Sequence, residues 1–95
     1  MLVERFTWHV KPGCIDEFTE LLDAERQRYD KATARIYTSY IGPNNTVMWE
    51  GEFEDEEERQ AFWEEWLQQP EAQVLMEKMT TLERGGGSHE LWNLV

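Results

Sequence analysis

Apolar and polar residues alternate along three stretches of the chain, and this period of two predicts half-buried β-strands. The three stretches are residues 1–10, 34–41 and 46–53. Residues 42–45 contain proline and asparagine, which favour a turn, so the second and third stretches are predicted to form a β-hairpin. A fourth strand is expected at residues 89–95, after the flexible connector Gly85-Gly86-Gly87-Ser88.

Apolar residues recur every three to four positions along two other stretches, and this period predicts amphipathic helices. The first helix is expected from about Cys14 to Lys31. The second begins at Asp55, an N-cap residue that Glu58 can complete as a capping box. Pro70 lies within it and predicts a kink or two separate helices, because proline interrupts helical hydrogen bonds. The apolar residues of this stretch expected to face inward are Phe62, Trp66, Leu67, Val74, Leu75, Met79 and Leu82.

The order strand, helix, strand, strand, helix, strand predicts an α+β fold, a four-stranded antiparallel sheet with both helices on one face. The sheet face toward the helices is apolar, with Phe6, Trp8, Val47, Trp49 and Phe53. The opposite face combines charges of both signs with aromatic rings, which suits pairing across a two-fold axis. We therefore expect a homodimer in which two sheets meet face to face; a monomer with a solvated sheet face is the alternative. The residues expected at the interface are Arg5, His9, Tyr37 and Glu50.

Composition narrows the class of protein. The chain has 95 residues, which predicts one domain over residues 1–95. Its net charge of -11 argues against nucleic acid or an anionic membrane as partner, since both attract basic patches. No apolar run approaches the roughly 20 residues that span a bilayer. The lone Cys14 and the absence of a signal-like N-terminal segment lead us to expect a cytoplasmic protein.

Aromatic residues are concentrated where the third strand passes into the following helix. Three of the five tryptophans lie between Trp49 and Trp66. On the predicted fold the rings of Trp49 and Trp66 face the space between sheet and helices. Aromatic walls with a few polar groups are typical of a small-molecule pocket, and they are equally typical of a packed core. The residues expected to line the pocket are Trp8, Trp49, Phe62, Trp66 and Met76, with Met79 beside them.

Glu4 is the one charged residue on the apolar face of the first strand. A carboxylate there must be paired, lie at the edge of the sheet, or line a polar corner of a cavity. An enclosed carboxyl group is suited to proton transfer, so Glu4 is the catalytic candidate if the protein is an enzyme. His9 and His89 are the only histidines, and no two ligands have zinc-like spacing. We therefore expect no metal and no cofactor.

Short motifs distributed along the chain resemble those of a known superfamily. They are Val10-Lys11-Pro12-Gly13, Trp49-Glu50, and Ala61-Phe62-Trp63 followed by Pro70-Glu71. In these motifs and in its order of elements the chain resembles the dimeric α/β-barrel superfamily, and within it the NIPSNAP-like and antibiotic-biosynthesis-monooxygenase-like small proteins. The resemblance implies a ferredoxin-like monomer, a barrel formed between two subunits, and ligand sites between sheet and helices.

The resemblance also bears on the reaction. Haem-degrading members of the superfamily have a histidine where this chain has Met76, and an asparagine on a first strand that here contains none. Both departures count against haem degradation. Among the activities of the superfamily, the resemblance then implies a cofactor-independent monooxygenase or isomerase that acts on an aromatic, quinol-like compound. A non-catalytic structural or protein-interaction module is the alternative.

Overall fold

The computed structural model describes the whole chain, residues 1–95. Its elements are β1 (Leu2–His9), α1 (Ile15–Arg28), β2 (Thr33–Thr38), β3 (Thr46–Phe53), α2 (Glu56–Leu67), α3 (Pro70–Leu82) and β4 (Ser88–Asn93). The predicted ferredoxin-like α+β fold is confirmed, with the last helical stretch divided into two helices. None of the helices has both the length and the apolar character needed to cross a membrane.

The four strands form one antiparallel sheet in the order β2-β3-β1-β4. Phe6 in the central strand β1 lies opposite Trp49 on β3 and His89 on β4. Because side chains alternate between the two faces of a strand, these three rings share one face of the sheet. Trp63 of α2 contacts Phe6 on this face, with ring centroids 5.8 Å apart. The helices therefore cover the face that carries the aromatic rings.

Two groups of packed side chains hold the helices on the sheet. The larger group joins α1 and α3 to the sheet near the end of β1 and contains Val10, Phe18, Leu22, Val47, Leu75, Met79 and Leu82. The smaller group joins the end of α1 to α2 and β3. In it the Phe62 ring lies 5.1 Å from that of Tyr29 and 5.3 Å from that of Phe53. Together the two groups pack α2 and α3 against the sheet.

The start of α2 and its break from α3 follow the sequence signals. Asp55 accepts a hydrogen bond from the Glu58 N–H at 2.9 Å, and the Glu58 carboxylate accepts one from the Glu54 N–H at 3.0 Å. Pro70 is the first residue of α3, where its missing N–H costs no helical hydrogen bond. Gln69 before it is extended, with φ -87° and ψ 138°. The proline therefore separates two helices rather than kinking one.

Several expected boundaries and inward-facing positions are wrong. β2 ends at Thr38, because the hairpin closes with the Ser39 N–H bonded to the Thr46 carbonyl and leaves Tyr40 exposed. α1 ends at Arg28 and β4 at Asn93, both earlier than expected. In α3 the buried stripe is narrow and consists of Ala72, Leu75, Met79 and Leu82. Val74 lies beside this stripe and is 50% exposed. Leu67, at the end of α2, is exposed as well.

Candidate functional site

A cavity of about 610 Å³ lies between the helix-facing side of the sheet and the helices. Ligand pockets in proteins typically measure about 300–1,000 Å³ and have mostly apolar walls. The residues expected from the sequence to line a pocket, Trp8, Trp49, Phe62, Trp66 and Met76, all border this cavity. Phe6, Trp63 and Met79 border it too. The aromatic residues therefore border a space of ligand size.

The sheet side of the cavity carries Phe6, Trp8 and Trp49. The rings of Phe6 and Trp8 are stacked, with centroids 5.8 Å apart and planes at 10°. The indole of Trp49 lies over the backbone of Gly51, where a Cβ atom would be only 2.3 Å from its Cη2. Glycine at position 51 therefore leaves the room in which the Trp49 ring is held.

The helix side of the cavity is formed by Trp63 and Trp66 of α2, whose ring centroids are 5.5 Å apart. The Trp66 Nε1–H donates to Glu25 Oε2 at 2.7 Å, and Arg28 donates to both oxygens of the same carboxylate at 2.7 Å. The hydrogen bonds from Arg28 and then Trp66 lower the pKa of Glu25. An ionised acceptor therefore fixes the orientation of the Trp66 indole.

Glu4 forms a polar corner in this aromatic cavity. Its side chain is 0% exposed, and both of its oxygens are hydrogen-bonded. Arg59 Nη1 donates to Oε2 at 2.8 Å, and Trp63 Nε1 donates to Oε1 at 2.6 Å. His89 Nε2 lies 2.6 Å from Oε2. The carboxylate is therefore paired, and it also lies at the cavity wall. Both arrangements are among the three that the sequence allows for Glu4.

The charge of Arg59 is held by two carboxylates. Its Nε and Nη2 donate to Glu56 at 2.9 and 2.8 Å, while Nη1 donates to Glu4. The hydrogen bond with Glu56, followed by the negative charge of Glu4, raises the pKa of Arg59. Arg59 is therefore a permanent cation that compensates the buried charge of Glu4.

Three partners of Glu4 were missed by sequence reasoning. Arg59 and Trp63 are four residues apart in a helix, so they share a face, and this spacing is a signal for them. His89 has no such signal, because its distance from Glu4 depends on the register between β1 and β4. No group of three or more histidine, cysteine, aspartate or glutamate side chains lies close enough to hold a metal ion.

The residues expected at a dimer interface lie on the open face of the sheet. Arg5 donates to Glu50 of the same chain at 2.8 Å and 3.2 Å, and His9 Nδ1 lies 3.4 Å from Thr46 Oγ1. Tyr37 is exposed on β2. Trp92 of β4 lies opposite Val3, which places it on this face too, and it is 53% exposed. Sequence reasoning did not single out Trp92.

No family model matches the chain, and no curated protein matches it significantly. Solved structures with the same fold do exist. An uncharacterized NIPSNAP domain protein from Burkholderia xenovorans gives a TM-score of 0.86 at 21% identity, over 100% of this chain and 95% of that one. A NIPSNAP family protein from Agrobacterium tumefaciens gives 0.81 at 12% identity, over 99% and 92%.

An antibiotic biosynthesis monooxygenase is similar as well, with a TM-score of 0.75 at 15% identity, over 100% of this chain and 99% of that one. These likenesses extend over whole chains and agree with the resemblance in motifs and element order. At these identities they establish the fold. The chain therefore has the ferredoxin-like α+β fold of the NIPSNAP and antibiotic biosynthesis monooxygenase proteins.

Proposed function

We propose that the protein binds a small aromatic or apolar molecule in the cavity between the sheet and the helices. The observation that carries this proposal is a space of about 610 Å³ with mostly apolar, largely aromatic walls and a polar corner at Glu4. Flat rings of Trp8, Trp49 and Trp66 offer stacking surfaces to an aromatic ligand. The polar corner would fix the orientation of that ligand, as single polar groups do in apolar pockets.

The reaction we propose for such a ligand is a cofactor-independent monooxygenation or isomerisation of a quinol-like compound. Two observations support it. A protein of similar fold is an antibiotic biosynthesis monooxygenase. The carboxyl group of Glu4, a candidate for proton transfer, also borders this mostly apolar cavity, and His89 beside it borders the cavity as well.

A non-catalytic structural or protein-interaction module is the second candidate, and the packing of the aromatic rings favours it. Trp63 lies with its centroid 5.5 Å from that of Trp49, 5.5 Å from that of Trp66 and 5.8 Å from that of Phe6. Aromatic pairs at such distances contribute about 0.5–1.5 kcal/mol each beyond their buried area. These rings would then stabilise the fold without a ligand.

Filling the cavity separates the two candidates. Ala34 of β2 borders the cavity, so Ala34→Leu would occupy part of it. We expect this variant to bind an aromatic ligand at least about tenfold more weakly, with a melting temperature equal to or above that of the wild type. The measurement is tryptophan fluorescence titrated with 1,4-naphthohydroquinone, a flavonoid and a fatty acid. Ala61→Leu is the matched control, because Ala61 is exposed on α2.

Saturable quenching in the wild type and in Ala61→Leu, with weaker binding in Ala34→Leu, supports the proposed function. A flat response of the folded wild-type protein to all three compounds favours the structural candidate. Equal affinities in all three proteins would place the ligand outside the cavity and contradict the proposal.

We also propose that the protein is a homodimer of the cytoplasm, in which the open sheet faces of two copies meet. The exposed rings of Tyr37 and Trp92 on this face support the dimer, since aromatic residues are enriched in interfaces. The free thiol of Cys14 suits a reducing compartment.

Arg5→Met is expected to raise the dissociation constant of this dimer by about tenfold or more, because Glu50 would be buried at the interface without its cation. Glu50→Gln should weaken the dimer in the same direction. Sedimentation velocity over a range of concentrations measures the effect. Lys31→Met is the control, because Lys31 pairs with Glu65 on the helix side. Unchanged sedimentation of both interface variants would contradict the proposed dimer face.

A further inference from the structure

His89 presents an unused nitrogen beside the polar corner of the cavity. Its Nε2 lies 2.6 Å from Oε2 of Glu4. An ionised carboxylate only accepts hydrogen bonds, so Nε2 carries the hydrogen and donates it. When the imidazole is neutral it has only this one N–H, and Nδ1 is then an acceptor. Nδ1 makes no hydrogen bond within the chain, and the side chain is 53% exposed.

The imidazole is held in place from two sides. Its ring stacks on Phe6, with centroids 4.2 Å apart and planes at 5°. Glu4, which receives its N–H, is itself fixed by Arg59 and Trp63. A carboxylate that orients a histidine through one ring nitrogen leaves the other nitrogen free to exchange a proton with a ligand.

Glu4 has little capacity left to receive a proton from a ligand. A carboxylate has about four acceptor positions, and three donors already occupy positions on Glu4. It is also completely buried. His89 borders both the cavity and solvent, so it is the member of the pair that a ligand can reach.

We infer that Glu4 and His89 form a proton-accepting pair for a ligand with a weakly acidic hydroxyl group, a phenol or an enol on an aromatic ring. The inference rests on the proposed function, because it names the class of molecule that the cavity takes. The ligand O–H bond breaks, its electron pair stays on oxygen, and the proton passes to Nδ1 of His89. The imidazolium then lies against the carboxylate of Glu4.

The surrounding charges suit this step. Before the transfer, the negative charge of Glu4 is balanced by Arg59, whose second partner is Glu56. After it, the new positive charge on His89 and the new negative charge on the ligand oxygen compensate each other. Glu4 stabilises the imidazolium, as a buried carboxylate does for a histidine base. His89 is thus the catalytic residue of the pair, and Glu4 positions it.

A purely structural His89 would serve only as a donor to Glu4, and His89→Gln distinguishes the two roles. The glutamine amide can donate an N–H to Glu4 from a similar position but has no basic nitrogen. The probes are 4-nitro-1-naphthol, whose ionised form has its own visible absorption band, and 1-methoxy-4-nitronaphthalene, which has no acidic hydrogen. Absorbance and binding are measured at a pH where free nitronaphthol is mostly neutral.

We expect the wild-type protein to bind the methoxy compound and to bind nitronaphthol as its anion, visible in the absorption band. His89→Gln should bind the methoxy compound unchanged, lose the anion band, and bind nitronaphthol about tenfold or more weakly. Binding of both probes by the wild type without the anion band would overturn the inference and leave the proposed function standing, even if the variant fails to fold. An anion band that persists in a folded variant would overturn it too. Binding of neither probe would overturn both proposals.

Discussion

Arg59→Met is expected to lower the free energy of unfolding by about 3 kcal/mol, because it leaves the carboxylate of Glu4 buried without its cation. This value is at the lower end for a broken buried ion pair, since Trp63 and His89 still donate to Glu4. For a chain of this length the melting temperature should fall by roughly 10–20 °C. Thermal and urea unfolding followed by circular dichroism measure both quantities.

Arg26→Met is the matched control. Arg26 donates through Nε and Nη2 to Asp23, three residues earlier in α1, as Arg59 does to Glu56 in α2. Arg26 lacks a contact with a buried carboxylate and its pair with Asp23 is exposed, so its loss should cost much less than the loss of Arg59. Equal losses in the two variants would mean that the ion pair with Glu4 does not stabilise the fold.

Gly51→Ala is expected to cost about 1–3 kcal/mol and to weaken ligand binding by about tenfold or more. The new methyl group would lie 2.3 Å from Cη2 of Trp49, so the indole must move. Trp49 borders the cavity, and its displacement changes the stacking surface there. Unfolding curves and fluorescence titration measure the two effects on one sample.

A double-mutant cycle with Trp49→Leu tests whether the cost of Gly51→Ala comes from its contact with the Trp49 ring. Leucine lacks the distal ring atoms that a Cβ at position 51 would meet, so alanine there should cost much less in the Trp49→Leu background than in the wild type. The interaction free energy between the two positions should then be about 1 kcal/mol or more. Additive costs would mean that Gly51 is needed for the backbone rather than for Trp49.

The fold was predictable from the sequence because its signals are local. The alternation that defines β3 ends at Phe53, and a capping residue follows two positions later at Asp55. Within a stretch of helical periodicity, a proline such as Pro70 indicates a helix start or a kink. The ends of β2 and α1 were less predictable, since they depend on where hairpin and loop hydrogen bonds close in three dimensions.

The site was predictable only in part. A glutamate on an apolar strand face, Glu4, is an anomaly visible in the sequence, and so is the concentration of tryptophan between Trp49 and Trp66. Its partnership with His89 was not predictable, because 85 residues separate them and the register of β4 on β1 decides their contact. The room for Trp49 over Gly51 is likewise a consequence of side-chain packing, which a pattern of apolar residues does not contain.

The most direct test of the binding site is an NMR titration of the indole N–H signals with 1,4-naphthohydroquinone. Trp63 and Trp66 border the cavity, whereas Trp92 lies on the open face of the sheet and provides an internal control. We predict that the signals of Trp63 and Trp66 shift saturably with one dissociation constant while that of Trp92 stays in place. No shift, or a shift confined to Trp92, would contradict a ligand in the cavity between the sheet and the helices.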